Sequence, residues 1–166
     1  MALPKTYKQA AFKEVGGPLV IEEVALKQPN KGEVLVKVEA CGVCHSDIFP
    51  QYDIWGAGFP LVPGHEIIGK VVALGEGIQD WKLGDRIGGA WHGGHDGKCD
   101  TCKKGFLQFC EPYIVNGINK NGGCEYLFTS AKHYSPRILG WITLRMLHYI
   151  PQIIRPLYHP PSLSVF

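Results

Sequence analysis

Apolar and polar positions alternate most cleanly in "EVLVKVEA", residues 33–40, where Val34, Val36, Val38 and Ala40 fall on one side. A period of two is the spacing of side chains along one face of a strand, so this segment predicts a half-buried β-strand. "EIIGKVVALG" (66–75) is rich in β-branched residues and runs into the turn signal "GEG", which predicts a second strand. Weaker patterns predict strands over 7–12, 19–25 and 125–129. Just after Cys44, Ser46 and Asp47 are N-cap residue types, and a short helical turn is expected there. Residues 138–150 suit a short helix ended by Pro151, although their apolar side chains gather on no single face.

Composition divides the chain in two. Twenty of the 21 glycines lie within residues 1–130, whereas residues 131–166 carry five of the twelve prolines and no Asp or Glu. The expectation is a mainly β unit with short helices over 1–130, strands punctuated by glycine turns, followed by an atypical tail over 131–166. A chain of 166 residues can bury one substantial core. A formal net charge of +2 gives no electrostatic reason to expect a nucleic-acid or membrane partner. Neither an apolar run of membrane-spanning length nor a secretory h-region is visible. Six cysteines in such a chain predict metal or thiol chemistry in a reduced, cytoplasmic protein rather than a disulfide framework.

The candidate chemistry sits in two constellations. In the first, "CGVCHSD" (41–47) and "PGHE" (63–66) place Cys44 and His65 at the ends of two expected strands. A thiolate and an imidazole are good zinc ligands, and a catalytic zinc uses three protein ligands plus an open position. Glu66 is next to His65 and is the candidate third ligand, bound or standing just behind the metal. Asp47 could accept the second ring N–H of His65 and fix its tautomer. Ser46 could carry a proton from a metal-bound hydroxyl to solvent.

The second constellation is "HDGKCDTCKKGFLQFC" (95–110), with Cys99, Cys102 and Cys110. A structural zinc takes four ligands, and a carboxylate oxygen is an acceptable one. Asp96, His95 and His92 stand near enough to be the fourth, and a metal-free lobe with reduced thiols is the plain competitor. A rival grouping joins Cys41 and Cys44 to Cys99 and Cys102 as a zinc ribbon. Its two knuckles lie much farther apart than the usual 15–20 residues. Cys41 suits a small buried hydrophobe, and Cys124 has no evident partner.

Taken in order, "CGVCHSD", "PGHEIIGKVVALGEGI" and "WKLGDRIG" resemble the N-terminal half of zinc-dependent medium-chain alcohol dehydrogenases. The resemblance covers roughly residues 6–129 and implies a GroES-like fold, a distorted β-barrel with a zinc lobe. It implies Cys44 and His65 as catalytic zinc ligands with Glu66 close or exchangeable, and Ser46 at the start of a proton relay. It also implies His45 near the coenzyme pyrophosphate and Trp55 along the substrate pocket. In the lobe, Cys99, Cys102 and Cys110 match the last three of four family cysteines, and Asp96 stands at the first, so the resemblance implies Asp96 as the fourth structural-zinc ligand, with His95 and His92 as near alternatives. Phe49 departs from members that place a second relay histidine there. The implied activity is oxidation of a small alcohol to an aldehyde or ketone with NAD or NADP. That coenzyme belongs to a Rossmann domain, yet no G-x-G-x-x-G occurs in this sequence. The expectation is therefore a catalytic unit cut short before its coenzyme domain and inactive alone. The alternative is a non-catalytic zinc-binding or partner-binding domain.

Overall fold

In the computed structural model, residues 3–111, 113–125 and 127–131 are described. Eight strands are found there: β1 (Thr6–Ala11), β2 (Val20–Ala25), β3 (Glu33–Gly42), β4 (Glu66–Leu74), β5 (Arg86–Gly89), β6 (His92–Gly94), β7 (Ile114–Val115) and β8 (Leu127–Ala131). Two four-residue helices, α1 (Ile48–Gln51) and α2 (Asp100–Lys103), and 3-10 turns at His45–Asp47 and Leu107–Phe109 complete the set. The mainly β expectation holds. The expected helix over 138–150, and the tail as a whole beyond Ala131, lie outside the described residues.

The central sheet has the order β5-β4-β3-β8, all antiparallel. β1 pairs with β2, and β6 with β7. Single bridges Gln9↔Glu125 and Phe12↔Leu61 tie the β1–β2 pair to the rest, as does the Ala10 N–H bonded to the Cys124 carbonyl at 2.8 Å. The sheets therefore wrap round one another through short links rather than forming one continuous ladder, which is what distorts the barrel.

β3 begins differently from its alternating pattern. Val34, Leu35 and Val36 are all buried, because the start of the strand is covered on both faces. Register shifts against β4 fall between Leu35 and Val36 and between Val38 and Ala40, re-aiming the strand end that leads to Cys44. Val34, Val36, Val71, Trp81 and Ile87 form the core cluster, with Ile78 against it. Each such side chain, fully buried, stabilises by roughly 1.5–3 kcal/mol. β5, β6 and β7 are too short for a periodic signal, and the sequence pattern did not predict them.

Away from the cysteines, Tyr7 Oη donates to Glu125 Oε2 at 2.9 Å. Burial pushes the Glu125 carboxyl up to about 8, against the lowering pull of that bond and of Lys120.

Candidate metal centres and the aromatic wall

The chain turns sharply after β3, and Cys44 caps the 3-10 turn itself. Its Sγ accepts the Ser46 N–H at 3.3 Å, and the Asp47 carboxylate returns to accept the Cys44 N–H at 2.9 Å. The expected helical turn is present: Cys44 caps the 3-10 turn, and Asp47 stands at the N-cap of α1 without a side-chain capping bond there, while Ser46 caps neither. Asp47 has a second task. Its Oδ1 accepts the Gly64 N–H at 3.1 Å, so one carboxylate pins together the loops that carry Cys44 and His65.

Gly64 sits at φ +103, where a side chain is strained. A Cβ there would also fall 2.6 Å from Cys41 Sγ and 3.0 Å from Cys124 Sγ. Glycine thus lets two thiols pack beneath His65. Cys124 has a partner after all: it hydrogen-bonds Cys41 and, with burial, drives the Cys41 thiol far up.

These constraints bring Cys44 Sγ to 2.9 Å from His65 Nε2. Glu66, exposed at the start of β4, completes a group of three donors that all lie within 4.8 Å of one another. His65 is buried, and its Nδ1 stands 3.5 Å from Asp47 Oδ1 with no hydrogen bond. The expected hydrogen bond from the His65 ring to Asp47 is therefore not formed. Ser46 is half-buried and His45 exposed on the same turn. A thiolate, a buried imidazole and a reachable carboxylate suit zinc, and His65 Nδ1 is a buried nitrogen with no hydrogen-bond partner.

Beside this centre lie rings that sequence reasoning missed. Trp91 meets the His65 ring edge-on at 5.0 Å. Trp55 packs on Trp91 at 6.1 Å and on Tyr113 at 5.8 Å. Trp91 Nε1 donates to Tyr113 Oη at 3.0 Å. Only Trp55 had been singled out, because three rings from three distant loops leave no periodic trace.

In the lobe, Asp96, Cys99, Cys102 and Cys110 all present donor atoms within 4.8 Å of each other. Asp96 Oδ1 accepts the backbone N–H groups of Lys98 (2.7 Å) and Cys99 (3.0 Å), while the Asp96 N–H points at Cys110 Sγ (3.1 Å). Those two backbone donors hold the Asp96 carboxyl well below the usual carboxylate range. The Thr101 hydroxyl, and then the Cys102 N–H, bring the Cys99 thiol down to about 7. Burial, then Cys99 and Cys110, pushes Cys102 up to about 12. Four acidic groups this close cannot all ionise unaided, and a dication is what would let them. His92 and His95 instead stack on each other, with Nε2 and Nδ1 at 3.3 Å. Among the described residues, Asp96 is thus the donor that joins the three cysteines. The ribbon grouping fails, since Cys44 converges with His65 and Cys99 with Cys110.

The "Alcohol dehydrogenase GroES-like domain" family matches residues 30–137. The chain belongs to this family. It is 57% identical to "Alcohol dehydrogenase patD" of Penicillium expansum over 154 residues, covering 85% of this chain and 45% of that protein. The GroES-like fold also matches an NADH complex of the alcohol dehydrogenase rspB from E. coli CFT073, with a TM-score of 0.74 and 27% identity, over 82% of this chain and 40% of that one. A cobalt- and zinc-bound thermostable alcohol dehydrogenase from Pyrobaculum aerophilum matches with a TM-score of 0.70 and 27% identity, over 80% and 41%. The chain therefore spans less than half the length of the alcohol dehydrogenases it matches. Among the described residues, no helix is long and apolar enough to cross a membrane.

Proposed function

We propose that this chain is the metal-holding catalytic unit of a zinc-dependent alcohol dehydrogenase, acting on a small alcohol or carbonyl compound with NAD or NADP. The observation that carries the reading is the convergence of Cys44, His65 and Glu66, drawn from two loops that Asp47 joins. Those three residues would hold the catalytic zinc, and Asp96, Cys99, Cys102 and Cys110 a structural one. When bound, the catalytic zinc supplies Lewis acidity that lowers the pKa of the substrate hydroxyl, and the nicotinamide accepts the hydride.

The chain's own residues do the rest. Ser46, half-buried beside Cys44, takes up the substrate hydroxyl proton and passes it outward. Asp47 holds the backbone of Cys44 and Gly64 and sets the charge beside His65 Nδ1. His45, exposed on the same turn, faces the coenzyme pyrophosphate, and Trp55 walls the substrate. No G-x-G-x-x-G turn is present in the sequence, so the nicotinamide belongs on a unit beyond residues 1–130, with 131–166 an atypical tail. The cytoplasm is the proposed location, a reducing compartment in which free thiols persist.

Elemental analysis of the full chain tests this. About two zinc equivalents are expected, falling to about one in Cys44→Ser. Unchanged zinc in Cys44→Ser and His65→Ala would remove the reading. The full chain alone should also show negligible coenzyme-dependent alcohol oxidation.

A further inference from the structure

Trp55, Trp91 and Tyr113 are not part of the main core, which gathers around Val34, Val36, Val71, Trp81 and Ile87. Trp55 remains 40% exposed and Tyr113 39% exposed, so two large rings present faces to solvent beside a reactive centre. They arrive from separate loops: after α1, before β6 and before β7. Trp91 links them to the donors, its ring edge-on to His65 at 5.0 Å. Tyr113 is the joint of the set. It packs on Trp55 with the rings tilted by 39° and takes the Trp91 indole N–H on its hydroxyl. With that N–H satisfied internally, Trp91 presents its ring rather than its polar N–H.

We propose that Tyr113 is a specificity-determining residue, completing a three-ring wall that selects flat, conjugated alcohols and aldehydes over saturated ones of the same size. The proposal rests on the metal-site reading above. A substrate whose oxygen reaches the centre formed by Cys44, His65 and Glu66 lays its next atoms against Trp91 and Trp55. Burial rewards a planar and a puckered ring alike. Offset and edge-to-face contacts reward only the planar one. A benzylic or allylic alcohol therefore gains what a cyclohexyl analogue does not. Without the Tyr113 ring, Trp55 loses a neighbour and Trp91 loses the acceptor that fixes its indole.

The test titrates the zinc-loaded full chain with benzyl alcohol and with cyclohexylmethanol, following quenching of tryptophan fluorescence and measuring zinc in every sample. Benzyl alcohol is expected to bind about fivefold more tightly. Tyr113→Leu should bring that ratio to about one without changing zinc content, and Tyr113→Phe, which keeps the ring, should restore most of it. Equal binding of the two alcohols by the natural chain, with zinc retained, overturns this proposal alone. A preference unchanged in Tyr113→Leu overturns it too. A chain that retains no zinc and responds to neither alcohol overturns the metal-site reading and this proposal with it.

Discussion

The two cysteine-bearing centres are built on opposite plans. The lobe draws all its donors from residues 96–110, and backbone N–H groups within the same short loop orient them. The centre at Cys44 and His65 joins donors 21 residues apart, with a 3-10 turn, α1 and a long loop between, and depends on Asp47 to hold its loops together. The lobe pairs soft sulfur with one carboxylate, and two of its thiols, Cys102 and Cys110, are buried. The other centre leaves Glu66 exposed and opens onto aromatic rings. A local site can fix a metal by its own spacing, whereas an open site needs the surrounding fold to hold its geometry. That difference suits one centre to stabilise and the other to react.

Removing sulfur from each centre should separate these roles most strongly. In Cys110→Ser the lobe metal should be lost and thermal stability should fall by several kcal/mol, read by calorimetry, because binding of a structural metal is also folding free energy. Cys44→Ser should lose about one zinc equivalent yet melt within about 1 kcal/mol of the natural chain. Equal destabilisation by the two substitutions would erase the contrast.

Next comes the tie between loops. Asp47→Ala should weaken zinc at the Cys44 centre by about 10–100-fold in a chelator competition and leave the lobe unaffected. In the lobe, Asp96→Ala should speed zinc release, and Asp96→Cys should slow it, since a fourth thiolate suits zinc better than an oxygen. Unchanged zinc content and lability in Asp96→Ala would exclude Asp96 as a ligand.

Smallest in its effect on zinc, which it should leave unchanged, is a control that lies outside both centres. Glu125 has its folded-state pKa raised from 4.5 to about 8, so the folded chain binds a proton that the unfolded chain has released. That stability is fully present below pH 4.5 and is lost as pH rises through about 8. Glu125→Gln should flatten this part of the pH–stability curve without altering zinc content. A curve of unchanged slope would show that Glu125 ionises normally in the folded chain.

The sequence was most legible where chemistry is local. The spacing of Cys99, Cys102 and Cys110 was enough to bring those three residues to attention, the family pattern pointed to Asp96 beside them, and the structure gathers all four. Strands β3 and β4 were also visible, because their β-branched runs are long enough to show a pattern. For Cys44, His65 and Glu66 the residues alone offered only good ligand types, and the order of family motifs supplied the pairing. Two-residue β7 and three-residue β6 had no pattern to read.

What the tertiary structure alone decided are contacts between segments with no fixed sequence interval. The carboxylate of Asp47 reaches the Gly64 N–H, the thiols of Cys41 and Cys124 meet under Gly64, and Tyr113 takes the Trp91 indole N–H. The grouping of Asp96 with the three cysteines, while His92 and His95 stack on each other, also appears only there. Spacing along a chain determines which groups share one turn or one strand face, because covalent geometry sets those distances. Which loop ends lie side by side is set by the packing of whole sheets, and that is a property of the folded molecule.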